Sequence, residues 1–276
     1  MGVVNANRDS FSDPGPRLLD AVVDGAIRQL DEGAAIVDVG AQSAITGRAP
    51  VDAAAEAELV APVVEAILEA RPDAVVSVDT YKPAVAEAVL AAGAHLVNDV
   101  SGLGDRAVAR LSAAYGAGLV VMHTSGPPLT RLQQRDRYAD VAGEVAAFLG
   151  RQVEVALAEG VPAESVVVDP GVDFTKTAAQ SVALLRGIDR VVALGHPVLL
   201  ALSRKDFVGA LTGRSPARRG PGTLGAIAAV RHVPGQILRV HDVAATRDFL
   251  AVLDAVAGRV DVPDDLVLPD HLRHEP

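Results

Sequence analysis

The chain has 276 residues, which suits one large domain and is long enough to bury a sizeable core. Half of the residues are apolar but only 3% are aromatic, so that core must consist mainly of Val, Leu, Ile and Ala. A formal charge of −10 with no basic run argues against nucleic acid as a partner, and the lack of cysteine excludes disulfides, thiolate metal sites and cysteine nucleophiles.

The N-terminal stretch MGVVNANRDSFSD has no basic segment followed by an apolar one, so we expect no secretory signal. No apolar run reaches the roughly 18 residues that span a bilayer, so we expect no membrane association. With the lack of cysteine, these features predict a cytoplasmic protein. The chain starts directly on a predicted strand, and we therefore expect a few residues upstream of Met1.

Eight short runs rich in Val, Ile and Leu recur along the chain, and they are apolar almost throughout, as is typical of strands covered on both faces. In chain order they are GVVN (2–5), AIVDVG (35–40), AVVSVDT (74–80), HLVNDVS (95–101), GLVVMHT (118–124), SVVVDPG (165–171), PVLLALS (197–203) and QILRVHD (236–242). Helical spacing of apolar residues predicts helices between them, at 16–32, 51–70, 83–92, 105–116, 136–160, 177–194, 222–232 and 243–258.

Eight strand–helix units of even size predict a single (β/α)8 TIM barrel over residues 1–260, followed by a polar, proline-bearing tail at 261–276. An open doubly wound α/β sheet is the alternative. It is disfavoured because no central glycine fingerprint follows a strand; GPGTLG (220–225) matches GxGxxG but lacks the preceding strand and the downstream acidic residue.

Every predicted strand ends on a hydrogen-bonding or titratable side chain. These are Asn5, Asp38, Asp79, Asn98, His123, Asp169, Ser203 and the pair Arg239 and His241. The only three lysines of the chain, Lys82, Lys176 and Lys205, also follow strands. Because barrel enzymes carry their active sites at the C-terminal ends of the strands, we predict one polar pocket there. Any single member of the set could instead cap a turn or helix, Asp38 above all because DVG suits a turn.

Common hydrolase motifs are missing. The chain has no HxH after the first strand, no HExxH and no GxSxG, so zinc-hydrolase and serine-hydrolase patterns are absent.

Several stretches at the strand ends are highly specific in their order and spacing: VDTYK, NDVSG, SRK and RVHDV. With MGVVNANRDSFSD, GAAIVDVG, VMHTSGPP, DPGVDFTKT and GTLGAI, they make the sequence resemble the dihydropteroate synthase family over nearly its whole length. The resemblance implies a transferase of folate biosynthesis that condenses 6-hydroxymethyl-7,8-dihydropterin pyrophosphate with 4-aminobenzoate. It also implies Mg²⁺ as cofactor and a homodimer.

The resemblance assigns roles to residues of this chain. It implies that the pterin ring is held by Asp79, Asn98, Asp169 and Lys205 and flanked by Phe174, that Arg239 and His241 hold the pyrophosphate, and that Asn5 helps to hold Mg²⁺. Asp79, Lys205 and Arg239 are the predicted catalytic residues. Pyrophosphate leaves a CH₂ attached to an electron-rich ring, so cations on the leaving group and a carboxylate near the ring would stabilise the separating charges without a protein nucleophile.

The sequence departs from the family pattern at four loops. GAQSAITG stands where the family has GGESTRPG, which places Ala44, Ile45 and Thr46 at its Thr-Arg-Pro; the other departures are Asn7 and Arg8 in the first loop, Asp173 and Thr175 in place of glycines, and Asp206 in place of serine. Ile45 removes a cation and Asp206 adds an anion where the anionic aminobenzoate is expected. Each lost charged hydrogen bond weakens binding by about 1.5–3 kcal/mol, unless Arg8 or Arg48 compensates.

These departures leave a second interpretation open, a non-catalytic or redirected pterin-binding paralogue that lacks normal synthase activity. A methylfolate-binding partner of a corrinoid protein is a third. SRK and the residues expected to hold Mg²⁺ and pyrophosphate weigh against the third interpretation.

Overall fold

A computed structural model describes residues 1–6, 16–41, 50–130 and 132–273 of the chain. Six residues named above, Asn7, Arg8, Ala44, Ile45, Thr46 and Arg48, lie outside the described residues.

Eight parallel strands form one sheet in the order β1 to β8. They are β1 (Gly2–Asn5), β2 (Val37–Gly40), β3 (Val76–Asp79), β4 (Leu96–Asp99), β5 (Gly118–Met122), β6 (Val166–Asp169), β7 (Val198–Leu200) and β8 (Gln236–Leu238). The sheet closes on itself, because the backbone N–H of Val3 donates to the Val240 carbonyl at 3.0 Å and the N–H of Val240 donates to the Met1 carbonyl at 2.9 Å. The predicted (β/α)8 barrel is therefore confirmed.

Helices follow the strands around the barrel. They are α1 (Pro16–Asp31), α2 (Ala53–Ala70), α3 (Pro83–Ala91), α4 (Ala107–Tyr115), α5 (Val141–Ala158), α6 (Ala178–Arg186), α7 (Asp189–Val192), α8 (Asp206–Thr212), α9 (Gly220–Ala229) and α10 (Val243–Val256). Two differ from the prediction. The helix expected over 177–194 is broken at Gly187, and α8 is an additional helix after β7. Gly187 packs against α5 so closely that a Cβ there would lie 2.6 Å from the Ala142 Cβ.

The period-two alternation of the strands separates two cores. Leu96, Val120, Val167, Leu199 and Ala201 form a small cluster, which we place inside the barrel, while neighbours such as Val97 and Val168 belong to the large cluster between strands and helices. Asn98 lies two residues after Leu96 in β4, and Asp169 lies two residues after Val167 in β6, so each is on the same side of its strand as that apolar residue. The alternation therefore directs these two polar side chains inward at the C-terminal end of the barrel.

After α10 the chain is exposed from residue 257 through 273, and this segment includes a 3-10 turn at Asp270–Leu272. The division at residue 260 stays a prediction. Among the described residues, no helix combines the length and apolarity that a bilayer crossing would need.

Candidate active site

Asp38 connects several polar side chains at the C-terminal end of the barrel, which we call the mouth. It lies within β2 and is fully buried. Its Oδ1 accepts a hydrogen bond from the Ser77 hydroxyl at 2.6 Å, and its Oδ2 accepts from Asn98 Nδ2 at 3.1 Å and from Arg239 Nε at 2.6 Å. From the sequence, a turn-capping role was the alternative to a place for Asp38 in the polar pocket. Asp38 is the shared acceptor that orients an amide and a guanidinium from two other strand ends.

Arg239 is held by two carboxylates. Besides the bond to Asp38, its Nη2 donates to Asp79 Oδ2 at 3.1 Å. Burial raises the pKa of Asp79 to about 7, with Asp38 and Glu56 adding to the rise and the charge of Arg239 opposing it. Asp79 can therefore gain or lose a proton near neutral pH, beside a cation whose position is fixed.

Asn98 presents an unused acceptor. Its amide nitrogen is committed to Asp38, while its Oδ1 is buried and has no hydrogen-bond partner among the residues that the structure describes. Buried polar atoms in native proteins are almost always hydrogen-bonded. The side chain is thus oriented so that its oxygen can accept a hydrogen bond from a ligand in the barrel mouth.

A second group of polar residues comes from β6 and the loop after β7. Asp169 is buried and accepts a hydrogen bond from the Gly171 N–H at 2.7 Å, and burial raises the pKa of its carboxyl. The ammonium of Lys205 lies 4.3 Å from the centroid of the Phe174 ring, within cation–π range. Phe174 and Lys205 therefore meet, although 31 positions separate them in the chain.

The rim beside this group is cationic. Nδ1 of His241 lies 3.0 Å from the Ser203 hydroxyl. Burial lowers the pKa of His241 to about 4 although part of the residue reaches solvent, and the charges of Arg204, Arg239 and Lys205 lower it further. His241 is therefore neutral at physiological pH among cations, an arrangement that favours an anionic ligand. Asn5 ends β1 with an exposed side chain, paired in register with Gly40.

Only one of the three lysines behaves as predicted. The ammonium of Lys82 donates to Glu56 at 2.5 Å and to the Val51 carbonyl at 2.6 Å, so it ties α2 and the segment before it to the end of β3. Lys176 is fully buried and contacts His123 Nδ1 and the Gly171 carbonyl, both at 2.8 Å. The expectation that all three lysines line the pocket is wrong for Lys82 and Lys176.

The loop departures that the structure describes have local partners. Asp173 and Thr175 adopt left-handed backbone angles, φ 66° and 51°, at positions where the family has glycine. Asp206 is paired, because Arg219 Nη1 donates to its Oδ1 at 3.0 Å and to the Arg204 carbonyl at 2.8 Å. From the sequence, compensation by Arg8 or Arg48 was left open and Arg219 was missed, although the three arginines of RSPARR (214–219) were a signal for it.

The fold and the mouth together define a barrel protein that presents buried carboxylates and an amide acceptor beside a cationic rim, a combination suited to a polar ring that carries an anionic group. The sequence pattern of the family described as pterin binding enzyme matches residues 1–241. The chain belongs to the dihydropteroate synthase family of pterin-binding enzymes.

Individual relatives cover almost the whole chain. A dihydropteroate synthase of Streptococcus pyogenes serotype M1 is 41% identical over 257 residues, which is 92% of this chain and 93% of the relative. A Mycobacterium tuberculosis protein named inactive dihydropteroate synthase 2 is 39% identical over 263 residues, covering 94% of this chain and 82% of the relative. The solved structure of Xanthomonas albilineans dihydropteroate synthase with 4-aminobenzoic acid is 38% identical, has a TM-score of 0.85 and covers 95% and 93% of the two chains.

Proposed function

We propose that this protein is a dihydropteroate synthase, a transferase that joins 6-hydroxymethyl-7,8-dihydropterin pyrophosphate to 4-aminobenzoate in folate biosynthesis. The observation that carries the proposal is the buried, unpartnered Oδ1 of Asn98, held by Asp38 at the strand ends that also carry Asp79 and Asp169. A pterin offers ring N–H groups and an amino group, which can donate to Asn98 Oδ1 and to the carboxylates of Asp79 and Asp169.

In this proposal the pterin lies between the two polar groups. A carboxylate can accept two parallel N–H bonds, so Asp169 receives the amino-pyrimidine edge and Asn98 receives a further ring donor. Lys205 donates to ring acceptors, and Phe174, which already contacts Lys205, flanks the ring. The buried position of Asp169 strengthens these hydrogen bonds because water is excluded.

The pyrophosphate lies on the cationic rim. Arg239 is fixed by Asp38 and Asp79 and keeps part of its guanidinium exposed, with the side chain 19% accessible. His241, held by Ser203, offers a neutral imidazole, which can donate a hydrogen bond without a proton being added. These residues stabilise the charge that develops on the leaving group as its bond to the CH₂ breaks.

Mg²⁺ is the proposed cofactor, with Asn5 as its protein ligand. Among the described residues there is no group of three or more His, Asp or Glu side chains that could hold a metal by itself. One exposed amide oxygen suits an ion that keeps several waters and binds mainly through substrate phosphates. When bound, Mg²⁺ would neutralise charge on the pyrophosphate.

The remaining chemistry needs orientation rather than a protein nucleophile. Asp79 lies beside the proposed ring and, as a carboxylate, stabilises the positive charge that develops there, while Arg239 stabilises the negative charge that departs. The amine of 4-aminobenzoate then attacks the CH₂ carbon directly. Asp79, Lys205 and Arg239 are thus the proposed catalytic residues.

The same proposal includes a cytoplasmic location and a homodimer, with no nucleic-acid or membrane partner. Apolar side chains on the outer face of α10 and in the segment after it support self-association. Val252, Val256, Leu266 and Val267 are 65%, 83%, 69% and 74% exposed. Exposed apolar patches are typical of protein–protein interfaces, and we propose that these side chains form one.

The test is to incubate the purified protein with the pterin pyrophosphate, Mg²⁺ and 4-aminobenzoate and to measure dihydropteroate. We expect product with the parent protein and a loss of about 100-fold or more in the Arg239→Ala variant, whose leaving-group contact is removed. The absence of dihydropteroate above background would contradict the proposal.

A second candidate function is pterin binding without synthesis. It is favoured by the carboxylate of Asp206 where the family carries serine, and by the 39% identity to a relative named inactive. Calorimetric binding of the pterin pyrophosphate without turnover would establish this function, whereas turnover would exclude it.

A further inference from the structure

Asp173 connects three segments around the candidate pocket. Its Oδ1 accepts a hydrogen bond from the Ser181 hydroxyl of α6 at 2.8 Å, and its own N–H donates to the same hydroxyl oxygen at 3.1 Å. Its Oδ2 accepts from the backbone N–H of Phe207 in α8 at 3.0 Å. One carboxylate therefore links the loop after β6 to α6 and to the first turn of α8.

The backbone at Asp173 is unusual for a residue with a side chain. Its φ of 66° lies in the left-handed region, which glycine adopts without steric penalty and other residues adopt rarely. A strained non-glycine conformation persists when surrounding contacts over-determine it. Here those contacts are the three hydrogen bonds of Asp173 to Ser181 and Phe207.

The linked segments carry two residues of the candidate pocket. Phe174 follows Asp173 directly, and Lys205 is the N-cap residue of α8, two positions before Phe207. The side chain of Lys205 makes no capping hydrogen bond, so the carboxylate of Asp173 supplies one for this helix from another loop. The hydrogen bonds of Asp173 therefore join the loop that carries Phe174 to the segment that carries Lys205, whose ammonium lies 4.3 Å from the centroid of the Phe174 ring.

Asp173 also acts on the charge of Lys205. Burial lowers the pKa of Lys205, and Asp173 is the carboxylate that opposes this most strongly, ahead of Asp169 and Asp79. Arg239 is the cation that acts in the other direction. A lysine that must donate to ring acceptors has to stay protonated, and a nearby carboxylate favours that form.

We propose that Asp173 is a positioning residue of the pterin pocket, whose carboxylate fixes the Phe174 loop to the start of α8, next to Lys205. The consequence for pterin binding rests on the function proposed above. The connection and its effect on Lys205 do not rest on that function, and the experiment separates the two.

Because the chain has only three lysines, selective ¹³C labelling of lysine allows the Nζ-bearing carbon of Lys205 to be titrated by NMR in the ligand-free protein. Its signal is assigned with a Lys205→Arg variant. Two test variants are Asp173→Asn, which removes the charge at nearly constant size, and Asp173→Gly, which suits the left-handed backbone and should fold. Asp206→Asn is the matched control, because Asp206 also adjoins Lys205 in the chain but is paired with Arg219.

We expect the titration midpoint of Lys205 to move to lower pH in both Asp173 variants and to stay unchanged in Asp206→Asn and in Ser181→Ala, which keeps the charge. An unchanged midpoint in both Asp173 variants would overturn the proposal.

Calorimetry with the pterin pyrophosphate then tests the functional part. We expect affinity to fall roughly tenfold in Asp173→Asn at pH 8 and by less at pH 6, because a lower pH favours the protonated form of Lys205 in either protein. A uniform loss at both pH values would overturn the charge role of Asp173. Failure of the parent protein to bind the pterin would instead overturn the proposed function, while the Lys205 titration would still test the effect of Asp173.

Discussion

Asp38→Asn is the substitution whose consequence follows most directly from the structure. It removes the charge of a fully buried carboxylate that accepts hydrogen bonds from Ser77, Asn98 and Arg239. Removing one partner of a buried ion pair typically destabilises a protein by about 3–5 kcal/mol, since the other charge is left buried. We expect about 3 kcal/mol here, because Asp79 still holds the second guanidinium nitrogen of Arg239.

The chain offers a matched control in Asp31→Asn. Asp31 also pairs with an arginine, Arg71, and the distance of 2.5 Å is close to the 2.6 Å between Asp38 and Arg239. The control pair is exposed, however, with side chains 60% and 35% accessible, so its loss should change stability far less than the loss of Asp38. Distance is thus nearly constant between the two pairs, and burial is the variable.

Urea unfolding of the parent and of both variants measures these differences, and pterin affinity is measured in parallel. We expect Asp38→Asn to weaken pterin binding as well, because Arg239 loses its charged acceptor and one of the two oxygens that orient Ser77, Asn98 and Arg239 becomes an amide donor. Equal destabilisation by the two substitutions would refute the conclusion that the buried carboxylate organises the site.

Three further predictions concern titration and the second substrate. The folded-state pKa of Asp79, about 7, lies above its ordinary value of 3.8, so the unfolding free energy should fall as pH rises between these values, and Asp79→Asn should flatten this dependence in urea titrations. For Lys176 the folded-state pKa of about 7 lies below the ordinary 10.5, so the unfolding free energy should rise with pH between these values. The Lys176→Met variant should lose this rise. If the rise persists in the variant, Lys176 is not its cause. Asp206→Ser should lower the Michaelis constant for 4-aminobenzoate by up to about fivefold and Arg219→Ala should raise it; no change in either would contradict an electrostatic effect at this position.

The barrel could be predicted from the sequence because each strand is marked by a short apolar run that can be recognised without knowing the rest of the fold. Runs such as VVVD in β6 are continuously apolar and end on a polar residue, and a strand of four residues is specified by its own letters. The break at Gly187 could not be predicted, since the helical spacing of apolar residues continues across it. The close approach of Gly187 to Ala142 in α5, which leaves no room for a Cβ, is a tertiary contact.

For the site, position along a strand was predictable but orientation was not. A polar residue at a strand end is placed at the barrel mouth by topology alone, which is why Asp79, Asn98, Asp169 and Arg239 were foreseen. Some polar side chains near the strand ends face the mouth, whereas Lys176 is buried and donates to the Gly171 carbonyl instead. Which of the two occurs depends on contacts that the local sequence does not encode.

Long-range pairings were the least predictable feature. Asp38 and Arg239 are 201 positions apart in the chain, and nothing in the letters DVG distinguishes a turn residue from the acceptor of a buried ion pair. The pairing of Asp206 with Arg219 spans only 13 positions, but it joins the first residue of α8 to the residue that precedes α9. Both pairs depend on the closed barrel having formed.

The most direct test of the proposed function is the stoichiometry of a turnover reaction. Pyrophosphate and dihydropteroate are quantified together after the protein is mixed with the pterin pyrophosphate and Mg²⁺, with and without 4-aminobenzoate. We predict equal amounts of the two products, formed when both substrates are present, and a strong reduction of both in Asp79→Asn and Arg239→Ala. Tight pterin binding with neither pyrophosphate release nor dihydropteroate would contradict the proposal that this barrel is a synthase.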